Sequence, residues 1–420
     1  MGAAIGAAAG DTDAATVARP FPSPEVVAPP PGNPRFPLMD SLRGLAALGV
    51  LFSHMVIFTR NAQRWPWGVI PGNLDMGVTV FFVLSGFLLY RPFFSAEMNA
   101  GPRIRVRDYA RRRILRIVPA YWLALTVLAI YPGVPGVFSA DWWRYYGFLQ
   151  FYSYHTSIRG LGVAWTLCVE VAFYAALPVY AALLRPAARR LGPAGRVRLQ
   201  LGLLTVLAAA SIVLRIDDQG VVMQNSLLTH FYWFALGMAL AVASVALGGR
   251  TDSPCGIQTV ISRPEWCWLA AGVMYLAMCA VLTSAPQHLY YSVSQAFWQY
   301  LLSGGVAFLL VLPAVFGQHA GRWPRRVLGW RWLGWLGIIS YGVYLWHATI
   351  AIVLIGHGIQ SWVPLLVIDL VLSVSVAAAS YYLVERPLLR LKNRRPKAPR
   401  RGRPRPGWPV PRANKVSPRA

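Results

Sequence analysis

Three ionisable residues, Asp40, Arg43 and His54, lie in an otherwise apolar stretch of residues 37–58. Ten residues separate Arg43 from His54, so on an α-helix they point in nearly the same direction, about 16 Å apart along the axis. A polar stripe is costly inside a membrane and usually faces a bundle interior or a wet cavity. The alternative interpretation is a positively charged cytoplasmic flank at Arg43 and one buried, hydrogen-bonded histidine. Asp40 is too far from His54 to touch it and is expected to pair with Arg43.

Glu170 and His347 are two further ionisable residues inside apolar runs. The predicted spans place them at the depth of His54 within about 5 Å, which favours one shared polar cavity. A histidine with the ordinary pKa of about 6.5 accepts a hydroxyl proton at neutral pH, and a carboxylate can orient it. We therefore predict proton transfer, with Glu170 orienting His54. The alternatives are a single helix–helix hydrogen bond for Glu170 and simple packing of His347 by Tyr344 and Trp346.

Ser85 lies in an apolar run only a little lower in the predicted membrane, and Tyr341 lies in the SYGVYLWH segment that contains His347. They are candidate cavity residues, together with His347 and Asp40. Ser85 has a simpler interpretation, because a small Ser-Gly pair with Gly86 lets two helices approach closely.

Arginines concentrate before the third apolar run, with seven between residues 103 and 116. Helical spacing places Arg112, Arg113 and Arg116 on one face of the helix that enters the membrane. Part of this cluster is a topology signal. Because guanidinium forks bind phosphate oxygens in a bidentate manner, the cluster also predicts a site for a phosphate-bearing ligand at the inner surface.

Composition limits the class of protein. The 420 residues are 56% hydrophobic and only 13% charged, about half the charged share of a soluble domain. The net charge of +25 is confined to short loops and a tail, so membrane topology explains it better than nucleic-acid binding. The four cysteines form no CxxC pair and predict neither a disulfide framework nor a metal site.

Runs of about twenty apolar residues, the length that crosses a bilayer, predict an all-α polytopic bundle. The fifth of its ten spans is expected to be short, and the aromatic segment 141–153 is expected to lie at the membrane interface. The predicted spans are 37–58, 76–95, 114–132, 163–184, 199–215, 227–247, 266–284, 295–316, 333–355 and 362–384.

Alternate loops are rich in arginine, which predicts that both termini are cytoplasmic. Residues 1–34 are expected to form a disordered cytoplasmic tail and contain no secretory signal. Residues 35–388 would form the transmembrane domain. Residues 389–420, basic and rich in proline, are expected to be a disordered tail near anionic lipid.

Several motifs occur in one order along the chain: Arg43 and His54 separated by ten residues, FFVLSGF at 81–87, and Arg113 and Arg116 followed by Ile117-Val118-Pro119. WTLCVE at 165–170, SYGVYLWH at 340–347 and ERP at 385–387 complete the set. In this set and order the chain resembles the acyltransferase-3 family of bacterial integral-membrane O-acyltransferases, over residues 37 to 387.

The resemblance implies transfer of an acyl group, often acetyl, from acyl-CoA to a hydroxyl of a carbohydrate-containing acceptor. The family's functional positions correspond to Arg43, His54, Arg113 and Arg116, with Glu170 matching a further motif position. It implies no permanently bound cofactor and a bacterial plasma-membrane location. An extracellular hydrolase-like domain found in some members is not expected here.

Together these observations predict His54, Glu170 and Arg43 as catalytic residues and Arg112, Arg113 and Arg116 as ligands of the donor phosphates. Direct transfer and an acyl-histidine intermediate both fit the sequence. The acceptor could be an envelope polysaccharide, a glycolipid or a glycosylated natural product. The main alternative function is a proton-coupled transporter or flippase, which predicts inverted repeats that the sequence does not display; a membrane sensor or scaffold would leave the polar stripe unused.

Overall fold

The structure is a computed structural model that describes residues 38–63, 68–99, 103–216, 220–248, 262–282, 292–316 and 323–391, with residues 36, 101 and 260. The two predicted tails lie outside the described residues, apart from 389–391. The described residues contain no β-strand, and ten of their helices are long and apolar enough to cross a membrane. This confirms the predicted all-α class and the number of spans.

Helices dominate because backbone N–H and C=O groups find no other partners in lipid. We number the ten long helices α1 to α10 and name the shorter ones by their residues. The long helices are α1 (Leu38–Phe58), α2 (Gly77–Met98), α3 (Val106–Ile130), α4 (Trp165–Arg189), α5 (Pro193–Ile216), α6 (Leu227–Ala246), α7 (Pro264–Leu282), α8 (Val293–Val315), α9 (Arg331–Gly356) and α10 (Trp362–Ser380).

The prediction of a short fifth span is wrong. Helix α5 has 24 residues and begins at Pro193, whereas the prediction began at residue 199 because Arg196 and Arg198 interrupt the apolar pattern. The side chain of Arg196 donates hydrogen bonds to the backbone carbonyls of Ala188, Leu191 and Glu97. Because the side-chain N–H groups of Arg196 are hydrogen-bonded, the helix can extend beyond the apolar segment. Helix α3 likewise begins within the arginine-rich segment, at Val106.

The interfacial segment 141–153 forms several short helices rather than one. They are Trp142–Tyr146, Gln150–Tyr152 and, just beyond the predicted segment, Tyr154–Ser157. The hydroxyl of Tyr121 on α3 donates to the carbonyl of Tyr145, which fastens this segment to the bundle.

Three helix pairs approach to backbone contact at glycines. In the pair α1 and α2, a Cβ on Gly77 would overlap the carbonyl oxygen of Ala46. In the parallel pair α1 and α9, a Cβ on Gly337 would overlap the carbonyl oxygen of Asp40. In the pair α2 and α6, a Cβ on Gly86 would overlap the carbonyl oxygen of Phe234, and one on Gly237 that of Val83. Close approach through small residues is a general way of packing helices in membranes. These contacts fix which side chains α1, α2 and α9 direct into the bundle.

The last span ends in an irregular segment. Helix α10 continues through a π-helical turn, Tyr381–Glu385, into a final helix, Arg386–Leu391. The turn includes the glutamate of the ERP motif, and Glu385 is buried.

Candidate active site

A cavity with an empty volume of about 740 Å³ lies between α1, α2, α3, α4 and α9. The polar residues of its wall come from all five helices: Arg43, Ser85, Arg113, Arg116, Glu170 and Tyr341, with Thr166, Tyr174, Ser340 and Tyr344. Most of the motif residues singled out in the sequence therefore converge here, and we call this space the arginine cavity.

The arginine cavity contains three guanidinium groups and one carboxylate. Arg43 forms an ion pair of 3.2 Å with Asp40, as expected, but Asp40 does not itself line the cavity, which corrects its prediction as a cavity residue. Among the described residues no carboxylate lies within ion-pair distance of Arg113 or Arg116. The buried Nε of Arg113 has no hydrogen-bond partner, and its guanidinium lies 5.9 Å from the centre of the Tyr174 ring. The excess positive charge and the unused donor suit an anionic ligand.

Glu170 is fixed by two hydroxyl groups. Ser85 and Tyr174 each donate a hydrogen bond of 2.6 Å to its Oε1 atom. Ser85 is therefore more than a small packing residue. The expectation that Glu170 orients His54 is wrong for this structure, because no hydrogen bond joins these two side chains and His54 has another partner.

Arg112 does not join the other two arginines. It does not line the cavity, and its Nε donates to the backbone carbonyl of Asp108, one turn earlier on α3. Consecutive helical residues point about 100° apart, so a helix that turns Arg113 into the cavity turns Arg112 away from it. The prediction of Arg112 as part of the same site is corrected accordingly.

His54 pairs with His347. The Nδ1 atom of His54 lies 2.8 Å from the Nε2 atom of His347, and the rings lie edge to edge and nearly coplanar, with centroids 5.0 Å apart and an interplanar angle of 15°. The ring of Phe58, one turn later on α1, stacks on that of His54 with centroids 5.3 Å apart. His347 is only 1% exposed. Its surroundings thus include a specific polar partner as well as aromatic packing.

Tyr344 separates the arginine cavity from the histidine pair. Its ring lines the cavity and lies 5.8 Å from the ring of His347 and 6.3 Å from that of Phe81. Its hydroxyl donates to the carbonyl of Val163 and accepts from Thr166, both at 3.0 Å. The ionisable residues therefore occupy two adjoining groups, rather than the single shared cavity expected from their depth.

The sequence reasoning missed Tyr174, Thr166 and Phe81. Tyr174 follows Glu170 by four residues, a spacing that brings side chains together on a helix, so it could have been found. Nothing in the sequence marks Phe81 as a functional residue, because an aromatic residue in a span most often packs against a neighbouring helix. Tyr341, a candidate from the sequence, lies in the cavity wall and donates to the carbonyl of Ile117 at 3.0 Å.

Comparison with known proteins gives relatives of low sequence identity. YrhL of Bacillus subtilis is 24% identical over 381 residues, which cover 84% of this chain and 54% of YrhL. OatA of Listeria monocytogenes, a peptidoglycan O-acetyltransferase, is 23% identical over 332 residues, covering 75% of this chain and 49% of OatA. OatA of Staphylococcus aureus, an O-acetyltransferase, is 23% identical over 382 residues, covering 85% of this chain and 58% of OatA.

The chain thus spans about half the length of these curated relatives. No solved structure matches it significantly. The family model described as an acyltransferase domain matches residues 37–385, which include every residue of the arginine cavity and both histidines of the pair. The chain belongs to the acyltransferase-3 family.

Proposed function

We propose that this protein is a membrane O-acyltransferase. It transfers an acyl group, acetyl in the simplest case, from acyl-CoA to a hydroxyl group of a carbohydrate-containing acceptor. The observation that carries the proposal is the arginine cavity, where Arg113 and Arg116 form no ion pair with a carboxylate of the described residues, next to a hydrogen-bonded histidine pair. The cavity suits the phosphates of coenzyme A, and the histidines suit activation of a hydroxyl group.

Arg113 and Arg116 bind the donor phosphates in this proposal, and Arg43 supports them from α1. Glu170 compensates part of the charge of the three arginines, and Ser85 and Tyr174 hold it in place. This role replaces the predicted one, in which Glu170 oriented His54. The donor enters from the cytoplasmic end of the bundle, and its acyl end extends past Phe81 and Tyr344 towards His54.

His54 acts as the general base in the transfer step. The acceptor oxygen attacks the thioester carbonyl while its proton passes to His54, a new C–O bond forms, and the C–S bond breaks. The CoA thiolate then takes the proton back from His54 and leaves as the thiol. General base catalysis of this kind contributes about 10²- to 10⁴-fold to a rate.

The relatives support a glycan acceptor, because OatA of Listeria monocytogenes is a peptidoglycan O-acetyltransferase. We propose a bacterial plasma-membrane location, with transfer to a glycan or a glycosylated small molecule. The sugar hydroxyl is common to both acceptors, and product analysis distinguishes them.

The test is label transfer from radiolabelled acetyl-CoA in membranes that contain the protein. Glycans and small metabolites are separated and counted for wild type, His54→Ala and a matched control, His357→Ala. His357 is an exposed histidine at the end of α9 whose Nδ1 bonds within its own helix. We expect label in wild type and the control and at least a 100-fold loss in His54→Ala. Near-normal transfer by His54→Ala would rule out the general-base role, and no transfer from any acyl-CoA would favour a transporter.

A further inference from the structure

The hydrogen bonds of the histidine pair continue from His347 to a backbone carbonyl. The Nδ1 atom of His347 lies 3.1 Å from the carbonyl oxygen of Val343, one turn earlier on α9. A carbonyl oxygen only accepts hydrogen bonds, so this Nδ1 carries a hydrogen. A neutral imidazole has one donor and one acceptor nitrogen. The Nε2 of neutral His347 is therefore an acceptor.

This assignment determines the tautomer of His54. The Nδ1 of His54 faces the Nε2 of His347 at 2.8 Å. Because that Nε2 accepts, the Nδ1 of neutral His54 must donate. The lone pair of His54 is then on Nε2, which has no hydrogen bond to any described residue. His54 is half-buried, whereas His347 is almost fully buried, so His54 is the member of the pair that a substrate can reach.

We propose that His347 is a positioning residue that holds His54 in the tautomer with a basic Nε2. The inference rests on the proposed function only in assigning the base to His54. His347 itself is not that base in our proposal, because both of its nitrogens are engaged within the pair and its helix.

The neutral imidazole of His347 holds the catalytic histidine in one tautomer, which is the role of a carboxylate in many acid–base sites. Among the described residues no carboxylate forms a hydrogen bond with either ring. When Nε2 of His54 takes the acceptor proton, its Nδ1–H becomes part of a cation and its hydrogen bond to His347 strengthens. The stabilisation is lost when the proton moves on to the CoA thiolate. The pair returns to its starting state with no net gain of protons.

The backbone contact between α1 and α9 maintains this geometry. Gly337 packs against Asp40, and His347 lies ten residues after Gly337 on the same helix. A fixed contact between two helices determines which of their side chains face each other further along the pair. This arrangement explains why rings from residues 293 positions apart in the chain meet edge to edge, within hydrogen-bond distance.

The first test observes the tautomer directly. Protein with ¹⁵N-labelled histidine rings is studied by solid-state NMR in lipid, with signals assigned from the His54→Gln and His347→Gln variants. Protonated and unprotonated ring nitrogens give separate signals. We expect a protonated Nδ1 and an unprotonated Nε2 for His54. A protonated Nε2 on neutral His54 would overturn the inference. This result does not depend on transfer activity, so it stands apart from the test of the proposed function.

The second test compares two substitutions of His347. Gln places a carbonyl oxygen near the former Nε2 and can still accept from His54, whereas Leu fills similar space without an acceptor. We expect His347→Leu to lower kcat about 100-fold and His347→Gln to retain activity within about tenfold of wild type. The KM for acetyl-CoA should change little in both, because neither substitution touches the arginine cavity. Equal kcat values for Leu and Gln would contradict a positioning role.

The matched control is His230→Leu. His230 is 2% exposed and its Nδ1 bonds to the carbonyl of Ser226, one turn earlier, but no second imidazole of the described residues contacts it. We expect kcat within about threefold of wild type, since no reacting group changes. If His347→Leu fails to fold, the NMR comparison of wild type with His347→Gln still decides the tautomer.

Discussion

Ser85 and Glu170, 85 positions apart in the chain, are joined by a hydrogen bond of 2.6 Å across the interface between α2 and α4. They belong to the FFVLSGF and WTLCVE segments, so the bond connects two motifs that the sequence presents separately. Tyr174 donates to the same carboxylate oxygen. The carboxylate is thereby held in the wall of the arginine cavity.

Ser85→Ala should lower the stability of the protein by about 1 kcal/mol, because side-chain hydrogen bonds between membrane helices contribute about 0.6 to 1.7 kcal/mol. Unfolding of the purified protein in detergent measures the change. Ser95→Ala is the control, since Ser95 lies on the same helix and its hydroxyl, among the described residues, only accepts a hydrogen bond from nearby Asn99. A double-mutant cycle with Glu170→Gln should give a coupling energy of similar size. Strictly additive effects would show that the bond contributes nothing.

Arg113→Gln and Arg116→Gln should each raise the KM for acetyl-CoA about 10- to 100-fold. A hydrogen bond to a charged group contributes about 1.5–3 kcal/mol, and about 1.4 kcal/mol corresponds to a factor of ten. Initial rates at varied acetyl-CoA concentration measure the effect. Arg112→Gln has the same charge change on the same helix but lies off the cavity. Its KM should stay within about threefold of wild type, and a rise equal to that of Arg113→Gln would favour the prediction from sequence over the structure.

Gly337→Ala should separate α1 from α9. The new Cβ would overlap the carbonyl oxygen of Asp40, and overpacking of this kind costs about 1–3 kcal/mol or more. We expect a lower Tm and at least a tenfold loss of acetyl transfer, because His347 moves away from His54. Gly334→Ala, one turn earlier, places its Cβ 3.6 Å from the Oγ of Ser41, an ordinary contact. That variant should behave like wild type; equal losses in both variants would mean that general helix packing, and not this crossing, is responsible.

Phe81→Ala should allow the enzyme to use donors with longer acyl chains. Phe81 and Tyr344 meet where the arginine cavity adjoins the histidine pair. Each methylene that a pocket admits or excludes changes specificity about 10- to 200-fold. We expect the ratio of kcat/KM for butyryl-CoA to that for acetyl-CoA to rise about tenfold. Tyr344→Phe keeps the ring in place and should leave this ratio unchanged. No change in Phe81→Ala would place the acyl group elsewhere.

The ten spans could be predicted because a bilayer imposes a length of apolar sequence that is visible in the chain. The lengths of α3 and α5 could not, since arginines such as Arg196 extend a helix when backbone carbonyls satisfy them. That Arg113 and Arg116 share a site could also be predicted, because helical spacing places them on one face of α3. That Arg43 joins them depends on how the helices pack.

The hydrogen-bond partner of His54 could not be predicted from the sequence. The depth of a residue in the membrane follows from its position along a helix. By this criterion Glu170 and His347 were equally good candidates to contact His54. Position around the bundle depends on which helices are neighbours, and that is set by contacts such as Gly337 against Asp40. Two candidates at one depth therefore remained, and only the packing of α9 against α1 selects His347.

The glycine contacts also limit how the enzyme can admit its substrates. Helices α1 and α9 are in backbone contact, as are α2 and α6, and Gly77 against Ala46 joins α1 to α2 in the same way. Arg43, Ser85, Phe81 and Tyr344 therefore all lie on one linked set of helices. Closely packed interfaces shift between discrete arrangements rather than deform smoothly. Opening a passage between the arginine cavity and the histidines therefore requires the side chains of Phe81 and Tyr344 to rotate, and not these helices to slide apart.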